Sequence, residues 1–257
     1  MTYLQAIILG LIQGLTEFLP VSSSGHLAIS QALFGIGETA LSTIFLHFAT
    51  LLAIVIYFWS SIRQLSLRQW IGIWLASLPV FVVGFLARDW LEVSSQNLSL
   101  VGWSLLVTAG LNFLTGWLLK TQSVQASQKI QSPTLLQMMK VGLTQVVALL
   151  PGVSRSGTTI ATGMKSGLSR QSAFEFSFLL AIPAILVATG YQIYKIIDGG
   201  AGNFEAGPLL LASLIAFGGG YLSLRWLAQF LKQAKFKWFG VYAGCLGILV
   251  LIGQYLF

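Results

Sequence analysis

From residue 3 to residue 34 the chain reads YLQAIILGLIQGLTEFLPVSSSGHLAISQALF, and this stretch decides the fold. Two apolar runs flank the polar break Pro20-Val21-Ser22-Ser23-Ser24-Gly25-His26. Neither run reaches the roughly 20 residues that a helix needs to cross a hydrocarbon core. A short helix, a break and another short helix predict a hairpin that enters and leaves a membrane on the same side. Irregular backbone at that depth survives only inside protein or beside a wet cavity. The pattern returns over residues 135–167, where an apolar run meets Pro151-Gly152-Val153-Ser154-Arg155-Ser156-Gly157 and then resumes.

Around the two broken segments lie six apolar stretches long enough to span, near residues 40–59, 70–87, 98–119, 172–197, 207–231 and 238–257. The whole chain of 257 residues is 56% hydrophobic and 8% charged, with a mean hydropathy of +0.82. Soluble domains carry about 25% charged residues, so this sequence cannot build an ordinary water-facing surface. The fold class is therefore all-α: a polytopic membrane protein of six transmembrane helices and two re-entrant helical hairpins. A single cysteine, Cys245, excludes an internal disulfide framework and a Cys-rich metal site. No cleavable signal is expected, because no basic region precedes the first apolar run.

The pI near 9.7 would point to nucleic acid in a soluble protein. Here the basic residues fall between spans, where they set topology, and no nucleic-acid partner is expected; the partner is the lipid bilayer. With both broken segments drawn as hairpins, Arg63, Arg68, Lys120, Lys129, Lys140, Lys165, Arg170, Arg225, Lys232, Lys235 and Lys237 share one side. Arg88 and Lys195 fall on the other, beside Asp89, Glu92, Asp198 and Glu205. The basic side is then cytoplasmic, both termini lie outside the cytoplasm, and the first hairpin dips in from the outer side. Drawing either hairpin as a full span destroys this asymmetry.

The polar stretch KTQSVQASQKIQSP at residues 120–133 falls near the middle of the chain. It defines a first repeat at 1–119, a cytoplasmic linker at 120–134 and a second repeat at 135–257, all within one membrane domain. Gly14-Leu15-Thr16-Glu17 recurs as Gly142-Leu143-Thr144-Gln145, and Leu19-Pro20-Val21-Ser22-Ser23-Ser24-Gly25 recurs with one insertion as residues 150–157. Phe48-Ala49-Thr50-Leu51-Leu52-Ala53-Ile54 recurs as residues 176–182. A hairpin plus three spans makes an odd number of crossings, so two such halves are inverted relative to one another, with a site at the midplane between them.

Charge at membrane depth costs about 2.5–3.5 kcal/mol at a helix centre and marks function. The deep candidates are Glu17, His26 and Arg155, all in the broken segments, with Glu175 near a helix start. Gln13 and Glu17 share a helix face. The residues from Gly152 to Gly157 can present backbone N–H groups at a helix start, where the dipole favours an anion, and Arg155 adds a planar fork of donors for phosphate oxygens. Glu17, the Gln13 amide and the serine hydroxyls are hard oxygen ligands for a divalent cation, Mg²⁺ or Ca²⁺. His26 suits proton transfer near neutral pH. Together these groups predict phosphoryl chemistry on an amphiphile whose head enters from the outer side.

Residues 13–26 resemble the (E/Q)xxxE-plus-serine-histidine motif of the undecaprenyl-diphosphate phosphatase (bacitracin-resistance protein) family. Residues 151–159 resemble its second motif, and Glu175-Phe176-Ser177-Phe178-Leu179-Leu180 its following helix; the likeness covers nearly the whole chain. The resemblance implies a metal-dependent enzyme of the bacterial cytoplasmic membrane, open to the outer face. It would remove the terminal phosphate of undecaprenyl diphosphate, a polyprenyl diphosphate lipid, to recycle the carrier for peptidoglycan synthesis. It implies Gln13 and Glu17 as the metal-binding pair, Ser23 as nucleophile, His26 as its proton partner and Arg155 as phosphate clamp. Ser22, Ser24, Gly152, Ser154, Ser156, Gly157, Thr158 and Thr159 would line the substrate. Gln13 stands where many relatives carry Glu. Whether His26 deprotonates Ser23 or a water is left open by the residues.

A polyprenyl-phosphate flippase is the competing reading, since it would need the same anion site, but binding and release require no nucleophile with a proton shuttle. The type-2 phosphatidic-acid phosphatase class is excluded. It expects a His six residues after the Arg and an Asp four beyond, where this chain has Ala161 and Lys165. His47 and Glu175 read as packing or supporting residues. Gly10-x₃-Gly14 and Gly240-x₃-Gly244 are small-residue patterns for close helix packing, within the chain or across a homodimer.

Overall fold

The computed structural model describes residues 1–37, 39–121, 132–199 and 205–253. Most of the 120–134 linker, Lys129 included, and the last residues of the 238–257 span lie outside the described residues. The regular elements are all helical. They are α1 (Tyr3–Thr16), α2 (Ser23–Phe34), α3 (Ala40–Tyr57), α4 (Trp59–Gln64), α5 (Leu67–Leu86), α6 (Arg88–Ser95), α7 (Leu98–Thr121), α8 (Leu135–Gln145), α9 (Arg155–Lys165), α10 (Arg170–Gly199), α11 (Ala206–Lys232) and α12 (Lys237–Gly253), with a 3₁₀ turn at Val146–Leu149 after α8.

The chain is an all-α, polytopic membrane protein. Among the described residues four helices are long and apolar enough to cross a membrane: Leu67–Leu86, Leu98–Thr121, Arg170–Asp198 and Ala206–Lys232. The described apolar lengths of α3 and α12, Leu41–Tyr57 and Lys237–Gly253, are shorter. Expected as one stretch to residue 59, α3 stops at Tyr57; Phe58, at φ −100° and ψ 18°, leaves helical geometry, and α4 follows. The short polar helix α6 is a further element that apolar patterning does not reveal, because it is mostly exposed.

Helix starts are set by local chemistry. Thr2 with Gln5, Ser66 with Gln69 and Thr134 with Gln137 form reciprocal capping boxes on α1, α5 and α8. Ser22 and Ser154 cap α2 and α9, the helices that leave the two breaks. At 14, 12, 11 and 11 residues, α1, α2, α8 and α9 each extend no more than about 21 Å at 1.5 Å per residue, against a core near 30 Å.

Small residues bring the helices together. α1 crosses α11 where a Cβ on Gly14 would stand 2.7 Å from the Ala216 carbonyl oxygen. α8 crosses α5 where a Cβ on Gly142 would stand 1.9 Å from the Ala76 carbonyl oxygen. α3 packs on both α10 and α11, and α10 also packs on α5. α7 and α12 lie together through Gly102, Gly240 and Gly247. Both glycine patterns are thus used inside the chain, Gly10 against Ala212 and Gly240 against Ala109.

One end of the bundle holds the Lys195–Glu92 ion pair at 3.3 Å and brings Tyr3 against Gly207. The opposite end holds the Gln69–Ser132 and Gln137–Ser166 contacts and the Arg170 guanidinium on the Leu119 carbonyl. Between them, Phe18, Phe58, Phe174 and Phe178 form a cluster of stacked and edge-on rings beside the breaks.

Candidate active site

The two breaks meet, and α7 holds them there. Ser104, Thr108, Asn112 and Thr115 recur at helical spacing and form a buried polar stripe along an otherwise apolar helix. The Asn112 amide donates to the Pro20 carbonyl at 2.6 Å, anchoring the first break. One turn away, the Thr108 hydroxyl donates to the Gly152 carbonyl at 2.8 Å and accepts from Ser154 N at 2.9 Å, anchoring the second. Backbone groups that leave the helical pattern inside a bilayer must find partners in protein, and this stripe supplies them. The breaks also touch directly: Gly152 N donates to Ser24 Oγ at 3.3 Å, and a Cβ on Gly25 would lie 3.2 Å from the Gly152 Cα. Gly152 itself sits at φ 96° with Val101 O only 2.6 Å from where a Cβ would be, so the turn admits glycine alone.

At their meeting point three side chains converge on one carboxylate. Glu17, just past the end of α1, accepts the Ser23 hydroxyl on Oε2 at 2.7 Å and the Gln13 amide on the same oxygen at 3.3 Å. Its Oε1 accepts from Arg155 Nη2 at 3.0 Å across the junction of the two hairpins. The side chains of Arg155 and Glu17 are 15% and 9% exposed, so removing one partner would strand a nearly buried charge at a cost of about 3–5 kcal/mol. Arg155 also lies over the Phe178 ring, 5.9 Å from its centroid. Ser23 and Arg155 are both the first residue of their helix, so each looks out from a helix N-terminus where negative charge is favoured.

Two polar atoms here are buried with no hydrogen-bond partner, Arg155 Nη1 and Gln13 Oε1. One is a free donor and the other a free acceptor, and each flanks the Glu17 carboxylate through its own residue's other atom. Buried polar atoms are seldom left unsatisfied, so the pair points to a ligand with both anionic and cationic partners. Among the described residues no group of three His, Cys, Asp or Glu side chains converges on a metal position.

Other candidates turn elsewhere. His26 is not brought to Ser23: its Nδ1 faces the Ser22 carbonyl oxygen at 2.7 Å and its Nε2 faces the Tyr242 hydroxyl at 2.6 Å. Ser22 Oγ caps Gly25 N and contacts Ser24 Oγ, which is exposed. Ser154 Oγ caps Gly157 N and contacts Ser156 Oγ. Thr158 donates to the Ser154 carbonyl, and Thr159 to the Arg155 carbonyl while meeting Ser177 Oγ at 2.6 Å. Of the amides from Gly152 to Gly157, those of Gly152, Val153, Ser154 and Gly157 are spent within the protein. The anion-facing set thus narrows to the Arg155 side chain and the first turn of α9. Sequence reading missed Tyr242, Thr108 and Asn112. The spacing of Thr108 and Asn112 within an apolar span was the available signal; Tyr242 gave none.

Comparison with known proteins adds an independent line. The family model of the bacitracin resistance protein BacA matches residues 6–249. A protein of Bacteroides thetaiotaomicron named undecaprenyl-diphosphatase is 38% identical over 270 residues, covering 99% of this chain and all of that protein. One of the same name from Flavobacterium johnsoniae is 38% identical over 259 residues, covering 98% of this chain and 96% of that protein. Another from Renibacterium salmoninarum is 34% identical over 273 residues, at 98% and 96%.

Proposed function

The chain belongs to the bacitracin resistance protein BacA family, and from that premise we propose how its paired breaks act as an undecaprenyl-diphosphatase, hydrolysing undecaprenyl diphosphate to undecaprenyl phosphate and phosphate for reuse of the lipid carrier. The observation that carries the mechanism is the Ser23 hydroxyl held 2.7 Å from Glu17 Oε2 while Arg155 of the other break holds Oε1.

In the first step Ser23 Oγ attacks the terminal phosphorus, and the bond to the bridging oxygen breaks. Undecaprenyl phosphate leaves with that oxygen, and the Ser23 proton passes to Glu17. Glu17 is the base because it already accepts that proton's hydrogen bond, whereas neither His26 nitrogen contacts Ser23. Arg155 Nη1, otherwise unpartnered, grips the phosphoryl oxygens, and the N-terminus of α9 faces the same charge. In the second step water attacks the phosphoserine, Ser23 Oγ recovers its proton from Glu17, and His26 takes the proton of the water.

A divalent cation, Mg²⁺ or Ca²⁺, fits beside this carboxylate. Glu17 and the free Gln13 Oε1 would hold it, with diphosphate and water oxygens completing a shell that two protein groups cannot fill. When bound it would neutralise diphosphate charge as a Lewis acid. The membrane is the bacterial cytoplasmic membrane, with the site open to its outer face and both termini on that side. The excess of basic residues at one end of the bundle supports this orientation. The two halves are inverted repeats, supported by matched crossings: α1 on α11 and α8 on α5, α3 on α11 and α10 on α5.

The test is phosphate release from undecaprenyl diphosphate by detergent-purified protein, with and without EDTA, beside Arg155→Ala. Release that EDTA abolishes, and that falls about 10²–10³-fold in Arg155→Ala, is expected from loss of a positioned donor. No release by folded protein would overturn the reading and direct the work to a liposome flipping assay. A phosphoenzyme absent in Ser23→Ala but trapped in wild type would establish the covalent route.

A further inference from the structure

His26 is held from two sides. The Ser22 carbonyl can only accept, so His26 Nδ1, 2.7 Å away, carries the ring hydrogen. In the neutral ring Nε2 is then an acceptor, and the Tyr242 hydroxyl donates to it at 2.6 Å. The two rings lie nearly parallel, 5° apart with centroids at 5.7 Å, so they meet edge to edge along the hydrogen bond. The partners come from distant parts of the chain. His26 sits in the first turns of α2, one turn beyond Ser23, and Tyr242 is on α12, which the buried glycines Gly240 and Gly247 fasten to α7. Tyr242 stays half-exposed beside that fastened face, with its hydroxyl turned back to the first break.

We infer that Tyr242 is a positioning residue for His26, a role that rests on the reaction proposed above. It holds the imidazole in the Nδ1–H form with the basic nitrogen directed away from Ser23. This separates the two proton acceptors of the site: Glu17 serves the serine, and His26 is reserved for the water. In the attack of water on phosphoserine, the new O–P bond forms as the Ser23 Oγ–P bond breaks. The Tyr242 hydroxyl gives up its hydrogen bond to Nε2 so that the lone pair it shielded receives the water proton. Without the tyrosine hydroxyl the ring keeps its Ser22 contact but loses the constraint on its other edge, and Nε2 is free to swing to unproductive partners.

The test is a double-mutant cycle on phosphate release from undecaprenyl diphosphate, run with wild type, Tyr242→Phe, His26→Ala and the double variant. Tyr242→Phe keeps the aromatic ring and deletes only the hydroxyl. It should lower kcat about tenfold with KM within twofold of wild type. The same substitution in the His26→Ala background should change kcat by less than twofold, because its only task is gone. A structural role would instead lower kcat by the same factor in both backgrounds, and that result overturns the inference. So does a Tyr242→Phe enzyme with wild-type kcat, which decides the matter alone if His26→Ala leaves too little activity to divide. A wild-type protein that releases no phosphate would overturn the proposed reaction itself, a failure visible before any variant is compared.

Discussion

In the first break Ser22 caps α2 by accepting from Gly25 N at 3.3 Å and shares a 3.2 Å contact with Ser24. In the second, Ser154 caps α9 by accepting from Gly157 N at 3.1 Å and shares a 3.2 Å contact with Ser156. Three residues past each helix's first, His26 and Thr158 both turn back onto the capping residue's carbonyl, at 2.7 and 2.8 Å. The scaffolds coincide, yet the matched positions carry different chemistry. Ser23 faces Arg155 as first residue of the helix, and Glu17 faces Gln145 at the end of the helix before. Glu17 gathers three partners, whereas Gln145 is 2% exposed and neither of its amide atoms has a partner. A shared framework of hydroxyl hydrogen bonds thus fixes two helix starts, and a few exchanged side chains make one the nucleophile and the other the clamp.

The hardest blow to that division of labour is Glu17→Gln, which gives the first break the second's amide. Loss of the base should cut kcat for phosphate release about 10³-fold, within the range expected for a positioned general base. Adding Gln145→Glu should restore nothing, because the carboxylate would then end α8 and precede the break whose exit helix starts with Arg155 in place of Ser23. Recovery in the double variant would mean that the breaks are interchangeable and that the asymmetry between them is not functional.

Next in size is a test of the crossings that press the breaks together. Gly142→Ala would drive a methyl to within 1.9 Å of the Ala76 carbonyl, a backbone atom that cannot yield without moving α5. Gly14→Ala meets the Ala216 carbonyl at 2.7 Å, a milder collision. Overpacking costs about 1–3 kcal/mol, partly offset by the better helix propensity of alanine, about 1 kcal/mol. Gly142→Ala should therefore lower the apparent Tm in detergent by several degrees and Gly14→Ala by clearly less, at one fixed scan rate. Equal losses would show that the two crossings are not graded by distance.

Much of this arrangement is legible in the sequence. Pro, Gly and Ser interrupting apolar runs announce the breaks, and an ionisable residue is so costly at membrane depth that Glu17, His26 and Arg155 stand out. What the letters hide is direction. The hydroxyls of Ser154, Ser156, Thr158 and Thr159 read as phosphate ligands, but Ser154 caps one of the N–H groups that a helix's first turn leaves open, Ser156 meets Ser154, and Thr158 and Thr159 donate back to the Ser154 and Arg155 carbonyls. The family resemblance implies His26 as partner to Ser23, yet a residue three positions on lies a turn higher, within reach of α12. The Thr108–Asn112 stripe was readable as polarity at helical spacing; that its partners are the carbonyls of two distant breaks was not.

The smallest expected effect sharpens the comparison most. Ser22 and Ser154 do the same capping, but Ser22 does it at φ 70° and Ser154 at φ −75°. The second break has the extra residue Gly152, at φ 96°, to make the turn, and the first, lacking it, places the left-handed conformation on the serine itself. Such a residue stores about 1–3 kcal/mol of strain. Glycine relieves it, and at a cap it is worse than serine by only a few tenths of a kcal/mol. Ser22→Gly should accordingly raise the apparent Tm by a degree or two, while Ser154→Gly, with no strain to relieve, should lower it slightly. The strained turn is also what sets Ser23 against Glu17, one residue away. A looser turn should let Ser23 drift from that contact, so Ser22→Gly should lose kcat several-fold even as it gains stability. If it gains stability and keeps full kcat, the strain is incidental to the missing residue and has no part in aiming the nucleophile.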